Sequence, residues 1–258
     1  MPRDYLSASQ INRFLDEPAL WVMDQLYGIK SPAGPGAWRG SAIEAACDVV
    51  MLSKADDDTA LKAAQDRFEV DAQGDMADDV NKERCALPVY LKNLLPSIRE
   101  LGMPLTRQSK IVLQLNSLDL DIIGYVDYRF PDRIIDLKTT GRMPSLDPVS
   151  GRIKDKWDHL RQMAIYERAE GVTPVLCYAT PGKPEKGHDR KPPLFYTPSR
   201  EELDSAMRQV EAAGRAMQRL LRSNQPPERI AELYPPRDMQ SYVWNDQLRA
   251  EAINIWRL

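Results

Sequence analysis

Residues Gly124 to Thr140 read GYVDYRFPDRIIDLKTT. Two apolar, β-branched runs, Ile122–Phe130 and Arg133–Leu137, flank a Pro131-Asp132 pair, which is the composition of a β-hairpin. A turn centred on that pair sets Phe130 against Arg133 and Asp127 against Asp136. Facing residues on paired strands hold their Cβ atoms roughly 4.5–5.5 Å apart, and like charges there repel. Pro131 cannot take the positive φ of a tight primed turn, so a longer loop built on a type I turn is expected. A symmetric loop keeps the pairing, whereas one bulged residue shifts it. Lys138, two residues past Asp136, falls on the same face as Asp136. Two acids and a lysine on an apolar hairpin suit a metal ion and a phosphate. The plainer alternative is a surface hairpin whose charges are merely solvated.

Composition bounds the rest. At 258 residues the chain forms one large domain or two small ones and can bury a real core. A formal net charge of −3 excludes a global basic signature, so any nucleic-acid partner needs a local patch. No apolar run approaches the ~18–20 residues of a membrane span, and the opening MPRDYLSAS lacks a signal-peptide core. Cys47, Cys85 and Cys177 are scattered and odd in number, which points to reduced thiols in a cytoplasmic protein. With His159 and His188 they show no zinc-ligand spacing. There is no glycine-rich phosphate loop and no serine nucleophile elbow, so nucleotide hydrolysis and esterase chemistry find little support.

Along the chain, Ser7 and Ser9 are N-cap candidates for a short helix, and Pro18 suits the first turn of a second. SPAGPG, Ser31–Gly36, reads as loop. A helix from Trp38 to about Lys54 places Glu44 and Asp48 together, four residues apart; an exposed acidic face is the simpler reading. Residues 57–101 read as two or more helices that Pro88 and Pro96 break or kink. Strands are expected over Ser109–Leu115, Leu120–Phe130 and Arg133–Lys138. A helix over about Lys154–Ala169 carries Gln162 and Tyr166 on one face. A strand over Val172–Ala179 precedes a basic loop with Lys183, Lys186, Arg190 and Lys191. A short strand Leu194–Thr197 follows, then a long helix opened by a Ser199/Glu202 capping box. A Pro-rich link leads to a last helix ending near Trp256. The order suggests a single α/β domain over 1–258, with a helical arm at 55–103 inserted between Glu44 and the sheet.

Taken together, four pieces resemble the PD-(D/E)XK nuclease superfamily in its RecB-like exonuclease branch. They are Gly40-Ser-Ala-Ile-Glu44, Gly124-Tyr-Val-Asp127, Asp136-Leu-Lys138 with Thr139 and Thr140, and Gln162-Met-Ala-Ile-Tyr166. The opening YLSASQINRFLDEPALW is similar to the start common in that branch. The first motif more often ends in His; Glu44 stands there instead. Several relatives, the CRISPR-adaptation exonucleases among them, hold a four-cysteine iron–sulfur cluster. Residues 178–258 contain no cysteine, so no cluster is expected, and the last helix should pack through Trp244, Ile253 and Trp256.

The resemblance implies a restriction-endonuclease-like α/β fold, a mixed central sheet flanked by helices, with the helical insertion near the N-terminus. It implies Mg²⁺ or Mn²⁺ held by Asp127, Asp136, the Leu137 backbone carbonyl and Glu44. Lys138 would orient water and stabilise charge on the phosphate. Gln162 and Tyr166 would position the nucleic-acid backbone, with Lys183, Lys186, Arg190 and Lys191 as further DNA contacts. The implied activity is a deoxyribonuclease acting on linear duplex or single-stranded DNA in recombination, repair or phage replication, with a single-strand annealing or binding protein as a further partner. A nicking or structure-specific endonuclease and a non-catalytic nucleic-acid-binding module are the alternatives.

Overall fold

The structure is a computed structural model that describes residues 4–241 and 243–258. It begins with a short strand, β1 (Tyr5–Ser7), and the helices α1 (Ala8–Asp16), α2 (Pro18–Leu26) and α3 (Pro35–Ser53). Two more helices follow, α4 (Asp57–Ala72) and α5 (Asp78–Leu101), then β2 (Thr106–Leu113), β3 (Asp121–Arg129) and β4 (Arg133–Thr139). After α6 (Trp157–Glu170) come β5 (Thr173–Ala179), β6 (Leu194–Tyr196), α7 (Arg200–Arg222), α8 (Pro227–Leu233) and α9 (Asp246–Trp256).

The strands form one mixed sheet in the order β1-β3-β4-β5-β6, with β2 also paired to β3. This is the α/β architecture expected, with helices on both faces. One core cluster joins Leu6, Phe14, Val126 and Ile134 to Met163, Tyr166 and Val210, which brings α1, α6 and α7 onto the sheet. A second joins Ile43, Cys47, Phe68, Leu87 and Leu94 to Tyr128, Ile135 and Leu137, which brings α3, α4 and α5 onto it. A small third cluster ties α9 to α2 through Trp244, Leu248, Leu20 and Met23. The three thiols are free, with Cys47 and Cys177 buried. Among the described residues, no helix is long and apolar enough to cross a membrane.

Local sequence explains most boundaries. Ser7 caps α1 in a capping box with Gln10, and Ser199 caps α7 in one with Glu202, so two orphan donors are satisfied at each start. Four expectations need correction. Pro35 and Gly36 belong to α3, not to a loop, because a proline in the first turn costs no hydrogen bond. Pro88 and Pro96 do not break α5, which runs through both; its buried face (Leu87, Leu91, Leu94, Ile98) offsets the missing amides. The Pro-rich link contains α8, again opened by a proline. Ile253 is exposed, and Trp244 and Trp256 do the packing expected of it.

Candidate active site

The hairpin takes the symmetric register. Tyr128 pairs with Ile135 and Arg129 with Ile134, and the Phe130 amide donates to the Arg133 carbonyl at 2.8 Å. The same register sets Asp127 opposite Asp136, but the ladder stops one step short of them. The reason lies on the far edge of β3. One edge pairs with β2 from Ile122 to Arg129. The other is divided, with β1 taking residues 121–123 in parallel and β4 taking 128 and 129 antiparallel. Residues 124–127 therefore face a fork in the sheet.

Backbone groups freed at such a fork need other partners, and candidate functional side chains supply them. The Leu137 amide donates to Asp127 Oδ2 at 2.8 Å, and the Tyr166 hydroxyl donates to the Tyr125 carbonyl at 2.6 Å. Asp127 and its opposite number on β2, Gln108, are left out of the β2–β3 ladder. Gln108 holds a φ of +45°, a conformation that costs a side-chain-bearing residue about 1 kcal/mol or more. Val126 joins one core cluster and Tyr128 the other. On a regular strand two such residues share a face, so β3 turns over at Asp127.

Into this fork project the charges. Asp136 is 1% exposed; its Oδ2 lies 2.5 Å from Lys138 Nζ, while its Oδ1 has no hydrogen-bond partner. Lys138 Nζ also donates to Gln162 Oε1 at 2.9 Å, and Gln162 Nε2 donates to the Tyr166 hydroxyl at 2.7 Å. The lysine is thus tied through α6 back to β3. Burial works against its charge, but Asp136, Asp127 and Glu44 outweigh that and lift its pKa above the ordinary lysine value.

Glu44 arrives on α3, which is pinned to the end of β4. Arg39 Nη2 donates to the Thr139 carbonyl at 3.0 Å and Arg39 Nε to Thr139 Oγ1 at 3.3 Å, while Arg39 Nη1 pairs with Glu83 of α5 at 2.5 Å. Burial, followed by the nearby Asp136 charge, pushes the Glu44 carboxyl up to about 7. Asp127 is pushed well above the carboxylate range by burial and by Asp136 and Glu44. Between them, Gln108 Nε2 donates to Asp127 Oδ1 at 3.2 Å and to Glu44 Oε2 at 3.3 Å. Asp48 is engaged elsewhere, with Arg107 at 2.8 Å and the Tyr128 hydroxyl at 3.2 Å.

Glu44, Asp127, Asp136, Lys138, Gln162 and Tyr166 therefore come together. Tyr166, at 2% exposed, spends its hydroxyl inside the protein, and Gln162 holds Lys138. A cavity of about 450 Å³ opens beside them, lined by Tyr5, Ser7, Ser9, Lys110, Gly124 and Tyr125 together with Gln162 and Tyr166. The basic loop packs against α5. Arg190 donates to the Asn93 carbonyl and Ser97 Oγ of α5, the Lys191 amide donates to Asn93 Oδ1, and Lys183 and Lys186 are exposed. Sequence reasoning missed Gln108, which lies just ahead of the strand expected over Ser109–Leu115 and whose type does not announce its φ. It also missed His159, whose Nδ1 lies 2.7 Å from the Tyr178 hydroxyl.

The donor set suits Mg²⁺ or Mn²⁺, which take hard oxygen ligands. Two carboxyls, Glu44 and Asp127, are raised by burial and then by the Asp136 charge, and a buried Asp136 oxygen lacks a partner. Among the described residues, though, no group of three or more His, Cys, Asp or Glu side chains is placed to hold a metal ion. The acids by themselves do not close a cage.

No family model matches the chain, and no curated protein matches it in sequence. Among solved structures, a protein from Eubacterium rectale provisionally named an exonuclease is 16% identical, with 96% of this chain and 88% of that one covered and a TM-score of 0.56. A second, SSO0001, is also 16% identical, with 70% of this chain and 76% of that one covered and a TM-score of 0.33. The first similarity extends over nearly the whole chain, and what it establishes is the fold, a mixed α/β architecture.

Proposed function

We propose that this chain is a divalent-metal-dependent deoxyribonuclease that hydrolyses phosphodiester bonds from DNA ends, a cytoplasmic enzyme of recombination, repair or phage replication. The reading rests chiefly on one arrangement, the buried Asp136–Lys138 pair with Asp127 and Glu44 at a fork in the sheet, beside an open cavity. It is supported by the order of the four motifs and by a fold shared with a protein provisionally named an exonuclease.

Asp127, Asp136, Glu44 and the Leu137 carbonyl would hold Mg²⁺ or Mn²⁺. When bound, such an ion acidifies water and screens the phosphate. The chain's own residues do the rest. Lys138 keeps its proton and presents a fixed ammonium to the charge that grows on the scissile phosphate, worth about 10²–10³ in rate for a preorganised donor. Gln162, braced by Tyr166, gives that ammonium a second fixed partner beside Asp136. The cavity takes the backbone next to the cut, with Lys110 on its wall, and Lys183 and Lys186 extend a weak positive track.

The purified protein with Mn²⁺ or Mg²⁺ should degrade linear DNA and leave covalently closed circles whole. EDTA should stop the reaction, as should Asp136→Ala. Lys138→Ala should lower the rate about 10²–10³-fold with the fold intact by circular dichroism. Nicking of closed circles would move the assignment to an endonuclease. Tight DNA binding with no cleavage under any metal would leave a binding module and end the enzymatic reading.

A further inference from the structure

Among the described residues, Gln108 is the one uncharged side chain that hydrogen-bonds two of the clustered acids at once. Its terminal nitrogen lies 3.2 Å from Asp127 Oδ1 and 3.3 Å from Glu44 Oε2. It reaches them from a residue opposite Asp127 that is excluded from the β2–β3 ladder and held at φ +45°. A glutamine in a regular strand would direct its side chain by the pleat alone. Here the backbone is turned so that the carboxamide lands between the acids.

The spacing is informative. Oxygens at neighbouring corners of an octahedral Mg²⁺ site, with bonds of about 2.0–2.1 Å, stand about 3 Å apart, and larger cations widen that by a few tenths. Both edges from the Gln108 terminal atom fall in this range. Turning the carboxamide about its last bond exchanges nitrogen for oxygen at nearly the same point. A third neutral oxygen then stands beside Asp127 and Glu44, where the His, Cys, Asp and Glu side chains alone make no cage. A separate observation also calls for a cation: the Asp136 side chain, 1% exposed, has an Oδ1 with no hydrogen-bond partner.

We infer that Gln108 is a metal ligand, its side-chain carbonyl completing the site begun by Asp127 and Glu44. The inference rests on the metal-dependent reading above. With no cation bound, the same carboxamide serves the acids as a donor and separates their charges. One amide thus fills both roles by a half-turn.

Calorimetric titration of Mn²⁺ into EDTA-stripped, dialysed protein tests this without reference to cleavage. Wild type should bind, Gln108→Ala should bind about tenfold or more weakly, and Gln108→Glu should restore or exceed wild-type affinity. Circular dichroism of each variant in EDTA checks the fold, which an exposed position such as 108 should leave intact. If Gln108→Ala binds Mn²⁺ as tightly as wild type or tighter, the amide only shields the acids and the inference is overturned. If wild type itself binds no Mn²⁺, the metal-dependent reading falls first, and the two failures are told apart.

Discussion

Gly124 offers the sharpest test of how the site is built. A Cβ at this position would sit 2.7 Å from Tyr166 Cε1 and 3.3 Å from Ile111 Cγ1, against a comfortable carbon–carbon separation of about 3.5–4.0 Å. The Tyr166 ring has no easy escape. It is 2% exposed, and its hydroxyl is bonded both to the Tyr125 carbonyl and to Gln162. Gly124→Ala therefore overpacks a rigid contact, at about 1–3 kcal/mol. If the ring moves instead, a buried hydrogen bond worth about 1 kcal/mol goes with it. Replacing a strand glycine returns about 0.5–1 kcal/mol, which leaves a net loss of about 1–2 kcal/mol. For a chain of this size that corresponds to a fall in Tm of about 2–8 °C, measured by differential scanning calorimetry and paired with urea denaturation. The loss should disappear, to within about 0.5 kcal/mol, when Tyr166→Ala is already present. A Tm within 2 °C of wild type, or the same loss on both backgrounds, would refute the claim that the ring dictates the glycine. Cleavage should fall as well, since a displaced Tyr166 releases Gln162 and with it Lys138.

Other consequences can be measured directly. Gly40→Ala should behave oppositely, because its Cβ would meet only Thr139 Oγ1 at an ordinary 3.7 Å; a gain of about 0.5–1 kcal/mol in urea denaturation is expected from helix propensity, and a loss would contradict it. His159 is held neutral by burial and by the Lys138 charge, its pKa pushed down from 6.5 to about 4. The unfolded chain takes up that proton first, so stability is intact above pH 6.5 and is lost by up to about 3 kcal/mol as pH falls toward 4. His159→Gln should remove this component, seen as the difference between the two stability–pH profiles; parallel profiles would count against it. Tyr196→Phe deletes the donor to Glu202 Oε1 (2.6 Å) and the acceptor for the Ile153 amide (3.1 Å). With Glu202 buried, it should cost about 1–3 kcal/mol in thermal or urea unfolding, and an unchanged Tm would show that water takes over.

The hairpin register was legible because its turn is symmetric about Pro131-Asp132, so counting outward from Phe130 and Arg133 gives the observed Arg129–Ile134 and Tyr128–Ile135 pairs. The N-cap at Ser7, the Ser199/Glu202 capping box and the helix carrying Gln162 were legible for an equally local reason, since the signal lies within a few neighbouring residues. The fork was not. It depends on β1, three residues that pair with a strand more than a hundred positions away, and no local pattern announces such a partner. Gln108 was hidden for a different reason, because its side-chain type says nothing of a φ imposed by the strand opposite. Tyr166 and Gln162 were found by their spacing, yet the contacts they make, to a backbone carbonyl and to a lysine, exist only once α6 lies over the fork. The continuity of α5 through two prolines likewise comes from tertiary packing that propensity cannot see.

The amide of Leu137 leans on the carboxylate of Asp127 where the β3–β4 ladder has already ended, while its strand stays paired with β5 on the other edge. Its exchange with solvent should therefore track what that carboxylate is doing. When Asp127 turns toward another partner, the Leu137 proton loses its acceptor and should exchange faster, while the flanking ladder amides stay slow. A single backbone resonance thus becomes a spectroscopic gauge of the acid beside it, readable by nuclear magnetic resonance in the untouched chain.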